Sequence, residues 1–568
     1  MRLFAAIGLF FLSLALLFVG VAQRTIWHPP AYHEVALKYD SNNPLAVLPN
    51  ATLSAFPGKP EVTVAGDANT FLAVGSESDI RAWIGSTSHT DLSAKVVKES
   101  LKLTTNSVSG TTDYASPVGS DLWRQSASGA SKTTLTVDNN DAAGVMIASD
   151  GFAAAPGSVT IRWPIAYSLA PSNLFLTGGA VALLLSFVMN ILAIRDHRKK
   201  RGPKRKIPKA PQGPRTRRQR SQIAAPVRGR RAARKVMAVV TGLTVVSMLS
   251  GCSTVSMKPN VSASPSPTNA AAVVPPALLE GQINRIVQSV SSTVSTADRL
   301  KNKVILSARF SGPALEMRST EYFLQKKSSK VASLPEIAAR PIKFSLPAAT
   351  NQWPRVLMVT TETPGSKLPQ MLVMQQDTPR AAYHVNYVIA LMSGATIPSV
   401  PISSVGAIPA SIDSVYLEVP PVQIPATYGD VIDNGSASLS AGLYDVTHDQ
   451  FYLAMSANQR QQIQKLTKGK IRFRHTLGSP TVLALSTSDG GALVALYMKD
   501  SYIIKPTKAG SAVSVSGNEK LMLGAVGSTT GIHSVYGNMM LFYVPPLATN
   551  KRVKLLGVTQ GLLQVLAL

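Results

Sequence analysis

A reaction in this chain would have to be built from eight histidines, one cysteine and 30 acidic residues, and their spacing supplies little to build with. His28, His33, His89, His197, His384, His448, His475 and His533 are scattered. They form no HExxH motif and no ligand pair at helical i, i+4 spacing, so no zinc site is legible. His28 and His33, in WHPPAYHE, lie nearest each other but suit no standard ligand geometry, and they read as residues just outside an apolar span. Phosphate-cradling GxxxxGKS/T and GxGxxG loops are absent, as is the GxSxG elbow that would seat a hydrolase nucleophile. Glycosyl transfer or hydrolysis wants convergent carboxylates or a DxD-like metal site, and no acidic pair stands in such a context. Ser488-Asp489-Gly490-Gly491 offers an acidic loop in which Asp489 would serve as a base if buried near a second carboxylate. Asp-Gly between TVLALST and GALVALYM is, however, a strong short-range hairpin signal, and a turn is the expected reading. No catalytic residue, cofactor-binding residue, cofactor or metal ligand is assigned.

The single cysteine excludes an intrachain disulfide. Cys252 stands at the end of VMAVVTGLTVVSMLSG, an apolar run of 16 residues preceded by RGRRAARK and followed by a Ser/Pro-rich stretch. Leu249, Ser250, Gly251 and Cys252 match a bacterial lipobox, in which the thiol receives a diacylglyceryl group before cleavage, and Cys252 is the lipidation candidate. The alternative is a short third transmembrane helix. Processing would leave two chains, a two-span protein ending near Gly251 and a lipoprotein beginning at Cys252.

The elements that carry these residues begin with two longer apolar runs. Leu3 to Ala22 is uncharged for 20 residues and matches the thickness of a hydrocarbon core; it reads as a transmembrane helix or signal anchor, with a signal peptide cleaved after the small residues Gly20-Val21-Ala22 as the rival. Ser172 to Ile194 is a second span, followed at once by RDHRKKRGPKRK. The net charge of +27 is unevenly spread. Residues 195–235 hold 18 Lys and Arg against Asp196 alone, residues 1–194 hold 11 against 13 acidic residues, and residues 236–568 hold 28 against 16. Basic residues flanking a span stay on the cytoplasmic side, which puts 25–168 outside and 195–235 inside. The basic block lacks interleaved aromatics for stacking on bases, so attraction to anionic lipid headgroups is preferred to nucleic acid as its role.

Residues 25–168 show short β-rich stretches (EVALKY, EVTVAG, TTLTV, GVMIAS, SVTIRW) with turn dipeptides such as Asp150-Gly151 between them, predicting an all-β domain, a small antiparallel sandwich or barrel-like unit. Trp83, Trp123 and Trp163 are expected in its core rather than in a ligand groove. After a stalk over 253–276, Leu279, Ile283, Ile286, Val287, Val290, Val294 and Ala297 fall on one helical face. A second helix is expected around Pro313 to Tyr322, then strands at RVLMVTT, QMLVMQQ and AAYHVNYVIALM. The order then recurs from DQFYLAMSANQRQQIQKLTKG onward, giving tandem α+β units at 277–400 and 401–568, by analogy NTF2-like or cystatin-like.

ARFSGPAL with MRSTEY (Ala308 to Tyr322), WPR (Trp353 to Arg355), TSDGGALVAL (Thr487 to Leu496), and in the β domain SDIRAW and SDLWRQ, carry a resemblance. On these motifs the chain resembles a family of actinobacterial membrane-anchored envelope proteins of unknown function, often labelled putative glycosyltransferases. The resemblance covers most of the sequence outside the spans and implies no catalytic residue.

The expectation is therefore a multi-domain, multi-pass protein of the cell membrane. It has an all-β extracellular domain between two transmembrane helices (1–24 and 169–194), a basic cytoplasmic loop at 195–235, a third span or internal lipoprotein signal at 236–252, and the tandem α+β module outside. A binding or scaffold role in envelope assembly is expected, with membrane lipids as partners and an anionic wall polymer, lipid or envelope protein as ligand. A glycan-active envelope enzyme and a nucleic-acid-binding loop are the alternatives.

Overall fold

The computed structural model describes residues 2–27, 30–40, 42–97, 100–112, 115–138, 142–149, 153–165, 170–200, 274–362, 368–479 and 481–568. The basic loop beyond Lys200, the run from Val236 to Gly251, Cys252 with its lipobox, the stalk up to residue 273, His28 and the Asp150-Gly151 turn lie outside the described residues. Two compact units result, one containing the two apolar helices and the other combining residues 34–163 with the C-terminal module.

Helix α1 (Arg2–Thr25) opens the chain. Ten strands follow: β1 (Tyr32–Lys38), β2 (Leu45–Leu48), β3 (Glu61–Ala65), β4 (Thr70–Ser76), β5 (His89–Val97), β6 (Ser100–Val108), β7 (Gln125–Gly129), β8 (Lys132–Thr136), β9 (Ala143–Ala148) and β10 (Ser158–Pro164). Between them lie two short helices, α2 (Asn50–Leu53) and α3 (Glu77–Ile84). The strands make a four-stranded sheet, β1-β10-β3-β8, and a six-stranded sheet, β6-β5-β2-β9-β4-β7. Alternation sends Val62 and Val64 of β3 and Val159 and Ile161 of β10 into one core with Leu72, Val74, Val145 and Ile147 of the facing sheet. This is the sandwich expected from the β-rich stretches, but its pairing is not wholly antiparallel, because β2 and β5 pair in parallel. Trp163 seals the core, its indole donating to the Leu53 carbonyl at 2.7 Å.

The other face of the six-stranded sheet is buried too. Leu45, Val47, Phe71, Ala73, Met146 and Ala148 pack under Ile80, Trp83 and Ile84 of α3 and under Leu122 and Trp123. Helix α3 departs from the all-β expectation. Its two turns are started by Ser76, whose hydroxyl accepts from the Asp79 amide at 3.1 Å, an N-cap bond that lets a short helix stand.

Helix α4 (Ala170–Lys200) carries the second apolar run and continues through RDHRKK. Helices α1 and α4 are both long and apolar enough to cross a membrane. They pack antiparallel, Gly20 meeting Leu176 and Gly179 meeting Leu17, so that small residues let the two backbones approach. The Ser186 hydroxyl donates to the Ala6 carbonyl at 2.9 Å. Phe4, Phe11, Phe18, Leu174, Leu184 and Phe187 remain more than half exposed, an apolar girdle that water would not favour.

The C-terminal module opens with α5 (Glu280–Leu300), α6 (Lys303–Leu306) and α7 (Gly312–Lys327). A meander of β11 (Ile342–Pro347), β12 (Arg355–Thr361), β13 (Gln370–Gln376) and β14 (His384–Ala390) follows. Next come α8 (Ile424–Asn434), α9 (Gln450–Lys465), β15 (Gly469–Leu477), β16 (Leu483–Ser486) and β17 (Ala492–Pro506), then the small pair β18 (Val513–Ser514) and β19 (Gly527–Ser528) around α10 (Gly517–Leu523). The long strands β20 (Ile532–Val544) and β21 (Lys554–Ala567) complete a sheet ordered β15-β17-β20-β21, with β16 also on β17. The apolar face of α5 is buried at Ile283, Ile286, Val287, Val290, Val294 and Ala297, as its periodicity predicts.

The two α+β portions do not stand apart at residue 400. Leu493, Ala495 and Tyr497 of β17 and Met539, Leu541 and Tyr543 of β20 join the core formed by α5, α7 and the β11–β14 sheet. The alternate residues, Ala492, Val494, Leu496 and Met498 with Met540, Phe542 and Val544, join a second core under Ile424, Tyr428 and Val431 of α8. One sheet thus serves two cores, because successive side chains point to opposite faces.

Candidate functional site

The motifs SDIRAW, SDLWRQ, ARFSGPAL and WPR, far apart in the chain, converge where the β domain meets the C-terminal module. The β domain supplies Asp79 from the first turn of α3 and Asp121 from the loop before β7. The module supplies Arg355 from the start of β12 and Arg309 from the turn before α7. Arg355 Nη2 lies 2.7 Å from Asp79 Oδ1 with its side chain fully buried, and the guanidinium stacks 3.7 Å over the Trp353 ring. Arg309 grips both oxygens of Asp121, at 2.5 and 3.2 Å, in the bidentate geometry that suits guanidinium and carboxylate. The Tyr383 amide also donates to Asp121, at 2.8 Å.

Three further side chains of the module reach backbone carbonyls. Gln282 donates to the carbonyls of Asp121 and Leu122 at 3.1 and 2.9 Å, and Arg285 to those of Trp123 and Arg124. Arg380 donates to Trp83 and Ile84 at 2.8 and 2.9 Å, and to the Thr87 hydroxyl at 2.8 Å, while stacking on the Trp83 ring. These are the last carbonyls of α3, which carry the negative end of the helix dipole and lack intrahelical partners. Trp83 and Trp123, 5.7 Å apart and almost fully buried, form the apolar floor of this seam. Both are core residues, as expected. Burial pushes the phenols of Tyr383 and the guanidinium of Arg285 away from their charged forms, with Asp121 partly restoring the charge of Arg285. Among the described residues, Arg355 Nε and Nη1 and the Tyr383 hydroxyl find no hydrogen-bond partner.

A second polar cluster was not legible in the sequence. His475 on β15 faces Asp500 directly across the ladder on β17. Its Nδ1 lies 2.5 Å from Asp500 and its Nε2 3.0 Å from Asp433 at the end of α8. Asn538 donates to the other oxygen of Asp500 at 2.6 Å. Burial opposes the charged imidazole, but the two carboxylates outweigh it and raise its pKa to about 9. An imidazolium held at both nitrogens is a cross-link between α8, β15 and β17, without a lone pair to accept a substrate proton.

Asp489 forms a turn, as the Asp-Gly signal predicts. Thr487 and Gly491 close the hairpin with a 2.9 Å backbone bond, and Gly490 takes a positive φ of 84°. Its partial burial opposes ionisation, but Thr487, Tyr543, the Gly491 amide and Lys551 all donate to its carboxylate and hold it at about 2. Among the described residues no group of three His, Cys, Asp or Glu is arranged to hold a metal ion.

The remaining feature is an apolar cavity of about 260 Å³ between α7 and the two sheets of the module. Phe310, Ala314, Met317, Val388 and Met539 line it, with Arg318, Gln370 and Thr559 as polar edges. Arg318 is held in place by Asp298, at 2.7 and 2.5 Å. Residues of ARFSGPAL and MRSTEY therefore serve both the seam and this cavity.

A family model for DUF8094, described as a domain of unknown function, matches residues 274–565, which is more than half of the chain and spans the whole module. The chain belongs to the DUF8094 family. No curated protein and no solved structure matches it significantly, so the NTF2 and cystatin comparison stays an analogy. The boundaries of the DUF8094 match agree with a module built on shared cores.

Proposed function

We propose that this DUF8094 protein is a membrane-anchored binding or scaffold protein of the cell envelope, with the β domain and the DUF8094 module together on the outer side. The reading rests on one observation: residues 34–163 and the module share buried ion pairs at Asp79–Arg355 and Asp121–Arg309. Parts joined in this way occupy the same side of any membrane, so the chain between them crosses an even number of times. Helix α4 supplies one crossing, and the uncharged run from Val236 to Gly251 is the natural second, either as a span or as a lipoprotein signal ending at the lipobox of Leu249, Ser250, Gly251 and Cys252. The basic block between them then faces the cytoplasm and its anionic lipids.

The ligand side of the proposal is the cavity beside Met317. Its apolar walls and fixed guanidinium suit an amphiphile with an acyl or prenyl portion and an anionic or hydroxylated head, in keeping with lipids or lipid-linked wall precursors as partners. Reporter fusions after Lys209 and after Asn302 test the topology: Lys209 should be inside and Asn302 outside, and an external Lys209 refutes the arrangement. Metabolic labelling with a lipid precursor, wild type beside Cys252→Ala, tests the anchor; equal size and no label in either refutes lipidation.

A further inference from the structure

We infer that the arginine face of the DUF8094 module is a docking surface for the β domain that holds without a covalent connection, so that a cut between residues 201 and 273 leaves one two-chain complex and not two free proteins. The inference goes beyond the proposed role and does not depend on membrane topology.

Three observations carry it. The contacts come from positions 79–124 on one side and 282–383 on the other, so two folded parts far apart in the chain make the described seam between them. Polarity across the seam is one-sided in the eleven hydrogen bonds named above: each has its donor on the module and its acceptor, a carboxylate, carbonyl or hydroxyl oxygen, on the β domain. Such complementarity specifies a partner and its register, as at an interface between separate proteins. Finally, each side has its own apolar core, the sandwich around Trp163 and the two cores of the module, while Trp353 reaches across to the Trp83 and Trp123 floor as an aromatic anchor. The partner that fits is thus a β-sandwich presenting two carboxylates and the C-terminal carbonyls of a short helix, and residues 34–163 of this chain are that partner.

The test uses the full chain in mild detergent, with a specific protease site inserted after Thr268 and an affinity tag at the C-terminus. After cutting, the N-terminal fragment should stay bound to the tagged fragment through size exclusion and through dilution to about 100 nM; prompt separation of the fragments overturns the inference. Arg380→Ala removes an exposed side chain whose loss should leave both folds intact. It should speed release of the cut fragment about tenfold, and Arg309→Ala about 100-fold, the range for truncating one partner of a buried charge pair. Near-UV circular dichroism of the uncut variants checks folding. If the fragments co-elute but neither variant changes the release rate, the arginine face is not what binds them and the inference fails.

Discussion

Raising the pH from 6 to 10 should loosen the α8–β15–β17 region of the module while leaving the sandwich unaffected. His475 has an ordinary pKa of 6.5 and a folded value of about 9. Because folding tightens its hold on the proton, the contribution to stability is complete below pH 6.5, declines between 6.5 and 9, and is lost above 9. The gap between 6.5 and about 9, at 1.36 kcal/mol per pH unit, corresponds to about 3 kcal/mol at full strength. That is a large part of a domain's net stability. Hydrogen exchange of the full chain, corrected for the intrinsic pH dependence of exchange, reports the opening free energy of amides in β15 and α8. Wild type should lose about 3 kcal/mol there across the range, and His475→Gln should start lower at pH 6 and stay flat. Equal protection at pH 6 and pH 10, or the same decline in the variant, refutes the assignment of a buried imidazolium bridging Asp433 and Asp500.

Two further outcomes follow from close packing and turn chemistry. A methyl group at Gly429 of α8 would sit 2.6 Å from the His475 Cβ, so Gly429→Ala should destabilise the same region by about 1–3 kcal/mol in urea unfolding followed by exchange, with no loss from the sandwich. Asp489→Asn keeps the turn's shape but weakens charge-assisted bonds from Tyr543 and Lys551; a stability loss of about 1 kcal/mol with unchanged ligand capture is expected, whereas abolished function at intact stability would reinstate Asp489 as a reactive group.

Local patterns were legible in the sequence and long-range pairings were not. The stripe from Ile283 to Ala297 follows from helical periodicity, and Asp489-Gly490 from turn chemistry. Helix α3 was missed because ESDIRAWI is only two turns long between strands, and α8 because IPATYGDVIDN follows a Pro-rich stretch with Pro425 in its first turn. Strand β11 ends on Pro347 and starts one residue after Pro341, composition that reads as loop. No spacing rule joins Asp79 to Arg355 or Asp433 to His475, since those pairs are made by tertiary packing. A signal was nevertheless present: RVLMVTT opens an apolar strand with an arginine, and a cation entering a core needs a carboxylate from elsewhere.

Strands β17 and β20 belong to both cores at once, and this sets how the module can be handled. A fragment ending near residue 400 would bare the surface that Leu493, Tyr497 and Leu541 cover, and one beginning there would bare the opposite side of the same sheet. Expression designs for crystallography or binding assays should accordingly keep 274–568 whole, and proteolysis should give no stable half-module.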